Sequence, residues 1–364
     1  MLYHLFYPLK DIFFIFNLLK YITFRAAMAT STAFILSLII GPRIIRKLTQ
    51  YKIGEKIRDK NESSQLYELH RHKSGVPTMG GIIIVFVIIL STFLWARLDN
   101  LYIILSLFVC VWLGILGFVD DYLKLKDLNS KKGLPATFKL IGQILLGLIV
   151  GIILYIKVPQ ASRLELPFFK NLYFELGIFY IFFVALVIAA TSNAVNLSDG
   201  LDGLAIGMVI MVAFAFSLLS YVVGNIKFSN YLFIPYIKNA GELTVFCASI
   251  LGAGLGFLWF NCYPAEVFMG DVGSLTLGGA LGMVTVFIKK ELLFLIVGAI
   301  FVLEALSVIL QVSSFKLRKK RIFKIAPLHH HFQFIGWSEP KVVVRFWILA
   351  ALMALLTVVT LKIR

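Results

Sequence analysis

The chain has 364 residues, of which 60% are hydrophobic and only 15% are charged. Soluble globular domains carry about 25% charged residues, so this composition excludes a soluble enzyme and indicates an integral membrane protein. The formal net charge of +16 is explained by loops that face an anionic inner leaflet and by binding of anionic substrates. We therefore expect no nucleic-acid partner.

Ten mostly apolar stretches follow one another along the chain. Most are close to the length of about 20 residues with which a helix crosses a hydrocarbon core, and they are continuously apolar where barrel strands would alternate. The stretches cover residues 24–46, 79–97, 101–122, 137–156, 175–192, 203–223, 241–260, 275–288, 291–315 and 342–361. Because there is no internal repeat and no long linker, the sequence predicts one polytopic domain over residues 1–364, an all-α bundle of about ten transmembrane helices.

The first 22 residues precede these spans. They include an apolar run that is interrupted by Lys10, Asp11 and Lys20, which favours an interfacial segment lying on the bilayer surface. A cleaved signal peptide is the alternative, and we set it aside because the charges break its hydrophobic region.

Lysine and arginine are distributed unequally between the two faces of the membrane. The loops after the odd-numbered spans, with their helix ends, hold 22 of the 35, with nine in residues 43–73, five in 124–139 and eight in 316–345. Cytoplasmic loops carry the excess of positive charge, so the odd loops are predicted to face the cytoplasm and both termini the outer, periplasmic side. The unusual polar motifs all follow odd-numbered spans, which predicts a cytoplasmic working face.

Three aspartates are predicted to bind a cation on that face. Asp120 and Asp121 close the third span in "GFVDDY", where the helix dipole disfavours carboxylates, so capping explains them poorly. Asp271 in "GDVGS" precedes span 8, where helix capping is an equally good explanation by itself. Together, three carboxylates suit Mg²⁺, which completes its octahedron with substrate phosphates.

The segment "NAVNLSDGLDG" at 193–203 follows the fifth span. Its glycines favour a tight loop whose backbone can approach a ligand. A polar connector is the alternative, and we favour recognition of a group rich in hydroxyls and amides, such as a nucleoside or a sugar. The candidate substrate-binding residues are Asn193, Asn196, Asp199 and Asp202.

Two lysines and a threonine are candidates for binding phosphate. Lys73 and Thr78 in "KSGVPTMGG" open span 2, where free backbone N–H groups could receive a phosphate, although capping explains Thr78 about as well. Lys139 lies at the mouth of span 4, where snorkelling to the interface is the alternative.

Three consecutive histidines, His329, His330 and His331, follow span 9 in "PLHHHFQFIGWSEP". Adjacent histidines cannot all face one point on a regular helix, so we expect an irregular loop in which one histidine is structural and another binds an anion. Glu304, near the middle of span 9, is a further functional candidate, with pairing inside the bundle or a helix break as alternatives.

In these motifs the chain resembles the polyprenyl-phosphate N-acetylhexosamine-1-phosphate transferases, of the glycosyltransferase 4 type. The stretches "TMGG", "GFVDDY", "SNAVNLSDGLDGL", "FLWFNCYPAEVFMGDVGSL" and "PLHHHFQFIGWSEPKVVVRFW" match in order over nearly the whole chain. The histidine stretch resembles the branch that transfers phospho-N-acetylmuramoyl-pentapeptide and not the relatives that transfer N-acetylglucosamine phosphate.

The resemblance implies a ten-helix bundle in the bacterial cytoplasmic membrane, usually a homodimer, in which distortion of the ninth helix opens a groove to the lipid. It implies transfer from UDP-N-acetylmuramoyl-pentapeptide to undecaprenyl phosphate, release of UMP and a requirement for magnesium. By motif, Asp271 resembles the principal magnesium ligand, and Asp120 and Asp121 the catalytic pair. The residues that resemble the uridine-diphosphate pocket are Asp199, Asn261, Phe268 and Lys73, with Phe268 as a stacking surface for uracil.

Two other functions compete with this hypothesis. One is transfer of a different hexosamine phosphate to the same lipid. The other is an ion-coupled secondary transporter with Glu304 and the aspartates as a relay. It is disfavoured because such transporters bind near the bilayer midplane between repeated halves.

Overall fold

The computed structural model describes residues 1–51, 73, 75–126, 133–169 and 172–362. In this part of the chain the helices are α1 (Leu2–Phe6), α2 (Ile22–Gln50), α3 (Gly81–Trp95), α4 (Leu101–Lys126), α5 (Ala136–Lys157), α6 (Phe179–Ser198), α7 (Leu204–Val223), α8 (Ile226–Leu232), α9 (Leu243–Asn261), α10 (Gly270–Phe287), α11 (Phe294–Val297), α12 (Ala299–Arg318), α13 (Leu328–Ile335) and α14 (Glu339–Val359). Short 3₁₀ helices cover Tyr7–Leu9, Phe14–Lys20, Ala240–Glu242 and Glu291–Leu293, and the strands β1 (Arg163–Glu165) and β2 (Tyr173–Glu175) form an antiparallel pair.

The predicted all-α membrane fold is confirmed. Within the described ranges, nine helices are long and apolar enough to cross a membrane: α2, α4, α5, α6, α7, α9, α10, α12 and α14. The remaining predicted span coincides with α3, which has 15 residues and is shorter than the sequence pattern predicted. The orientation of the bundle in the membrane stays a prediction.

The chain directly before α3 is not helical, with Met79 at a φ of 69°, so the helix begins two residues later than predicted. The backbone N–H of Gly80 donates to the carbonyl of Phe268 at 2.8 Å, and that of Gly81 donates to Met269 at 2.8 Å. These bonds join the start of α3 to the segment that leads into α10. The prediction that the N–H groups opening span 2 are free to receive a phosphate is therefore wrong for Gly80 and Gly81.

The ninth predicted span, 291–315, is interrupted. A 3₁₀ turn and α11 come first, the chain leaves the helix at Gly298, and α12 follows. The side chains of α12 that are buried all lie in its first half: Ile300, Phe301, Glu304 and Ser307. The position and the interruption agree with the distorted ninth helix that the family resemblance implies.

Helix α10 is at the centre of the bundle. Every residue from Val272 to Phe287 is buried, and α10 packs against α4 and α6. A Cβ atom on Gly278 would lie 2.5 Å from the carbonyl oxygen of Thr191, and one on Gly282 would lie 2.1 Å from its hydroxyl oxygen. Small residues one turn apart allow helices to approach closely in membranes, so α6 lies directly against α10.

The first 21 residues form α1 and two 3₁₀ turns beside the bundle. Several of their apolar side chains are exposed, including Ile12 at 70% and Phe14 at 84%. Such exposure is what an interfacial segment requires, and its location on the bilayer surface stays a prediction.

A buried ion pair closes the end of the bundle at which α2 and α9 begin. The guanidinium of Arg25 pairs with the carboxylate of Glu242 through two N–O contacts of 2.6 Å, and both side chains are buried. Because a buried charge needs a partner, the pair fixes α2 against the start of α9.

Candidate active site

Asp120, Asp121 and Asp271 form a compact acid cluster. One carboxylate oxygen from each lies within 4.8 Å of those of the other two. The two neighbours come from the C-terminal part of α4, and Asp271 comes from the first turn of α10, where the positive end of the helix dipole favours a carboxylate. The convergence of these motifs that the sequence predicted is therefore observed.

Gly117 brings the two helices together. A Cβ atom at this position would lie 2.4 Å from the carbonyl oxygen of Asp271 and 2.6 Å from the Cα of Val272. Only glycine leaves room for the two backbones to touch here. The contact lies one turn before the aspartate pair and sets the distance between it and Asp271.

Two lysines contact the acid cluster. The ammonium of Lys124 lies 2.5 Å from Asp120 Oδ2, 3.3 Å from Asp121 Oδ1 and 3.2 Å from Asp271 Oδ2. Lys139, in the first turn of α5, lies 3.3 Å from Asp120 Oδ2 and 3.0 Å from Asp271 Oδ2. The predicted candidate Lys139 thus belongs to the cluster and does not snorkel away from it.

Neutral donors fix the remaining carboxylate oxygens. The amide of Asn196 donates to Asp271 Oδ1 at 2.9 Å. The backbone N–H of Leu134 donates to Asp120 Oδ1 at 2.8 Å, and that of Val272 donates to Asp121 Oδ2 at 3.2 Å. The carboxylates are held in place before any substrate arrives.

The segment at 193–203 differs from the predicted loop. Helix α6 continues to Ser198, so the first half of the segment is helical, and a turn follows at residues 199–203, which we call the glycine turn. Gly203 adopts a left-handed conformation with φ of 75°, as the sequence pattern requires. The helix extends because its amide side chains find partners within the bundle.

Asn193 and Asn196 have different environments. Asn193 donates to Gln143 Oε1 of α5 at 2.7 Å and to the carbonyl of Ala189 at 2.8 Å, which directs it into the bundle and away from the acid cluster. Asn196 contacts the cluster directly. The helical spacing of these residues therefore separates one structural amide from one site amide.

Lys73, Asp202 and Glu339 form a second ionic group, the lysine node. The ammonium of Lys73 lies 2.6 Å from Asp202 Oδ1 and 2.6 Å from Glu339 Oε1. All three residues are buried. Lys73 is thus already paired with two carboxylates, and its predicted contact with a substrate phosphate stays a prediction.

The residues that resemble a nucleotide pocket surround the lysine node. Asn261 accepts the backbone N–H of Gly203 at 3.1 Å and donates to the carbonyl of Val267 at 2.8 Å. The ring centroid of Phe268 lies 5.8 Å from the Lys73 ammonium. Asp199 ends α6 and begins the glycine turn. The glycine turn, Asn261 and Phe268, which we call the wall, thus lie beside the lysine node.

Thr78 lies between these two groups. It is partly buried, and its hydroxyl oxygen would lie 3.2 Å from a Cβ atom on Gly270. The capping residue of α3 is Gly80, without a side-chain hydrogen bond. The alternative that Thr78 caps the helix is therefore wrong, and its contact with substrate stays a prediction.

The three histidines lie in the helix α13 and not in an irregular loop, which corrects the prediction. The rings of His329 and His330 lie against each other, with their centroids 4.2 Å apart. His330 Nδ1 lies 2.9 Å from the Oε1 of Gln333, and His331 Nδ1 accepts the backbone N–H of Lys324 at 3.1 Å. His329 is the buried member.

His329 explains the buried carboxylate of Glu304. Its backbone N–H donates to Glu304 Oε1 at 3.1 Å, and its Nδ1 lies 3.2 Å from Oε2. On its other side, Nε2 would lie 2.3 Å from a Cβ atom on Gly200. Glu304 is therefore paired inside the bundle, as the milder alternative predicted, and it holds α13 against the glycine turn.

The sequence reasoning missed three residues that organise the site. Gln143 lies one turn after Lys139 and contacts Asn193 and Ser192 across α5 and α6, and its signal was a polar side chain in an apolar span. Glu339 was within a quoted motif, but at the start of a helix it resembles an ordinary first-turn acid. Gly117 had no signal, because the sequence contains 27 glycines.

Known proteins are similar to this chain over its whole length. Residues 102–289 match the family model of glycosyl transferase family 4. Three relatives named phospho-N-acetylmuramoyl-pentapeptide-transferase cover all of this chain and all of their own length. They come from Citrifermentans bemidjiense with 53% identity over 364 residues, Brachyspira hyodysenteriae with 51% over 389 residues and Geobacter sp. strain M21 with 52% over 364 residues.

Replacing Gly117 with alanine tests the geometry of the acid cluster. We expect Gly117→Ala to lower the turnover number at least tenfold, because displacing a reacting group by about 1 Å can cost on the order of 100-fold. Gly114→Ala, on the same helix, is the matched control, since its Cβ would meet a Val85 methyl at 3.2 Å and the activity should stay within about twofold. The turnover number and the thermal stability of both variants are measured in detergent. A folded, fully active Gly117→Ala protein would contradict the conclusion that Gly117 sets the geometry of the acid cluster.

Proposed function

The chain belongs to glycosyl transferase family 4, and from this premise we propose that it transfers phospho-N-acetylmuramoyl-pentapeptide from UDP to undecaprenyl phosphate, giving lipid I and UMP for peptidoglycan synthesis. The relatives that are 51% to 53% identical over their full length are named for this transfer. The observation that carries the proposal is the acid cluster with its two lysines at one end of a membrane bundle. Such a site suits a reaction between two phosphates, one of which arrives on a lipid.

The donor set of the acid cluster fits magnesium. Three carboxylates offer the hard oxygen ligands that Mg²⁺ prefers. With Lys124 and Lys139 beside them, the group of five side chains has a net charge of −1, so it still attracts a cation. Asp120, Asp121 and Asp271 would hold the ion, which when bound neutralises charge on the diphosphate and the attacking phosphate.

The two lysines supply the positive charge that the protein itself brings. Lys124 is 39% exposed and Lys139 is 23% exposed at the side chain, so each can exchange a carboxylate contact for a substrate phosphate oxygen. A flexible ammonium makes such exchanges at low cost in geometry. We infer that they orient the diphosphate and the lipid phosphate for in-line attack.

Asp120 has three candidate roles: general base, nucleophile and orienting group. A phosphate monoester with a second pKa of about 6 is already mostly dianionic near neutral pH, so removing its proton gains little. Both oxygens of Asp120 are also engaged, one by the Leu134 N–H and the other by the two lysines. These contacts favour an orienting role over covalent attack.

The wall that includes Phe268, Asn261 and the glycine turn supports binding of the uridine diphosphate. Phe268 is partly exposed and offers a face for stacking. Helix α13, which we call the histidine helix, contacts the glycine turn through His329 and Gly200. From this position it could contact the sugar and its peptide. The name of the three relatives supports the muramoyl-pentapeptide donor over another hexosamine phosphate.

We propose that the site faces the cytoplasm in the bacterial inner membrane and that both termini face outward. The support is the excess of lysine and arginine in the odd loops. Part of that excess, in residues 52–72 and 127–132, lies outside the described residues.

The acceptor would arrive from the membrane plane, and a homodimer is the assembly that the family resemblance favours. The transporter hypothesis loses support, because Glu304 contacts His329 beside the glycine turn and the three relatives are named as transferases.

Donor specificity is tested by the release of UMP. Purified protein in detergent with magnesium and undecaprenyl phosphate should release UMP from UDP-N-acetylmuramoyl-pentapeptide and not from UDP-N-acetylglucosamine. A chelator in a parallel reaction should abolish release, and added magnesium should restore it. Release from the second donor alone would move the chain to the other branch, and silence from folded protein with both donors would refute the proposal.

The role of Asp120 is tested by pH. We expect Asp120→Asn to lose activity by the same factor, on the order of 100-fold or more, at pH 6.5 and at pH 9, because an orienting carboxylate is needed at every pH. The measurement is kcat at both pH values with saturating substrates. Recovery of the variant at pH 9 would instead favour a general base, and a labelled phosphoryl adduct trapped on the wild type would favour the covalent route.

A further inference from the structure

Glu339 is a buried carboxylate that the reaction described above does not use. It lies at the first position of α14 and is 8% exposed. We propose that Glu339 is a positioning residue for the nucleotide-sugar donor, acting through Lys73 and Asp202, and that it sets donor affinity without touching the reacting phosphates. The inference rests on the proposed function.

A single oxygen of Glu339 serves two partners. Its Oε1 accepts the Lys73 ammonium at 2.6 Å and the backbone N–H of Asp202 at 2.9 Å. Asp202 in turn pairs with Lys73 through Oδ1 at 2.6 Å and accepts the backbone N–H of Ala265 through Oδ2 at 3.0 Å. Glu339 therefore holds the glycine turn both directly and through the lysine.

The lysine node joins four separate parts of the chain. Lys73 precedes α3, Asp202 lies in the glycine turn, Ala265 lies in the loop before α10, and Glu339 begins α14. Backbone hydrogen bonds also join the segment before α3 to the one before α10, and the indole N–H of Trp347 in α14 donates to the carbonyl of Gly203 at 3.2 Å. Buried, charge-assisted hydrogen bonds are strong and directional, so the node adds to these contacts in fixing the four segments relative to one another.

The node acts on the side of the site where the donor is proposed to bind. Asn261 contacts the glycine turn and Phe268 lies near Lys73. Lys124 and Lys139, in contrast, contact the acid cluster. No contact joins Glu339 to the acid cluster among the hydrogen bonds and ion pairs of the described residues. Loss of Glu339 should therefore weaken donor binding and leave the acceptor and the chemical step nearly unchanged.

Glu339 also connects the histidine helix to this wall. At one end of the segment, His329 is held by Glu304. At the other end, Glu339 begins α14 only a few residues after α13 ends at Ile335. The segment that distinguishes the muramoyl-pentapeptide branch is thus fixed at both ends to the glycine turn or its neighbours. The family model match ends at residue 289, so Glu339 belongs to the part of the chain beyond it.

The test compares the effect of a variant on the KM for the donor with its effect on the KM for the acceptor. We expect Glu339→Ala to raise the KM for UDP-N-acetylmuramoyl-pentapeptide at least tenfold, with the KM for undecaprenyl phosphate within about twofold and kcat within about threefold of the wild type, because two charge-assisted bonds to the donor wall are lost. Glu339→Gln keeps an acceptor oxygen at the same place and should recover most of the donor affinity.

Glu242→Ala is the matched control, since it removes a buried carboxylate from an ion pair of the same length at the other end of the bundle. It should lower thermal stability as Glu339→Ala does and leave the donor KM unchanged. A double variant, Lys73→Met with Glu339→Ala, should raise the donor KM above that of Lys73→Met by a smaller factor than Glu339→Ala raises it in the wild type, because Glu339 acts partly through that lysine and partly through its direct bond to the Asp202 N–H.

The outcomes are distinct. If the wild type releases UMP and Glu339→Ala keeps the wild-type donor KM, the inference is wrong while the proposed function stands. Equal changes in both KM values, or losses that follow the folded fraction as in Glu242→Ala, would reduce Glu339 to a purely structural residue. A wild type that releases no UMP from this donor would remove the proposed function, and the inference with it.

Discussion

The backbone contact between α4 and α10 at Gly117 is the constraint on which the site depends. It places two carboxylates at the end of one helix against a third at the start of another, within 4.8 Å of each other. Like charges this close repel strongly in a partly buried site, so the packing of α10 must outweigh that repulsion. The unbroken burial from Val272 to Phe287 and the glycine contacts with α6 supply a rigid frame, and Lys124 and Lys139 reduce the repulsion by pairing with the same oxygens.

The two ends of the bundle use buried charge differently. At the end where α2 and α9 begin, one guanidinium, of Arg25, faces one carboxylate, of Glu242, so the charges of the pair balance. At the other end, the acid cluster has three carboxylates for two lysines, and the lysine node has two carboxylates for one lysine. A balanced pair stabilises a contact and has little reason to bind anything else. An unbalanced group keeps a residual charge that a cation or a polar ligand can use, so the excess of acid distinguishes a site from a structural pair.

The sequence predicted the order of the apolar helices and the meeting of the motifs at one end of the bundle, because apolar length and residue type are local properties. Nine of its ten spans are long enough to cross a membrane in the described residues. It predicted the acid cluster for a similar reason, since carboxylates at the ends of membrane helices need an explanation beyond capping. It did not predict where α3 begins, because the backbone there bonds to Phe268 and Met269, which are far away in sequence. The helix that carries the three histidines was also missed, since its contacts with Glu304 and Lys324 come from other parts of the chain. Gln143 and Glu339 have their meaning only through partners about 50 to 266 residues away, and a single sequence contains no record of such contacts.

The charge of the acid cluster constrains how the substrates are received. Three carboxylates and two ammonium groups give a net charge of −1, which by itself repels a diphosphate and a lipid phosphate. A divalent cation would change the net charge to +1 and turn repulsion into attraction. Because the cation would pair with the carboxylates, each lysine could then move from a carboxylate to a phosphate oxygen without leaving a buried acid unpaired. The lysine node has no such freedom, because Lys73 is buried between two acids. This difference in exposure is why we propose charge balance for the reacting phosphates at the acid cluster and positioning of the donor at the lysine node.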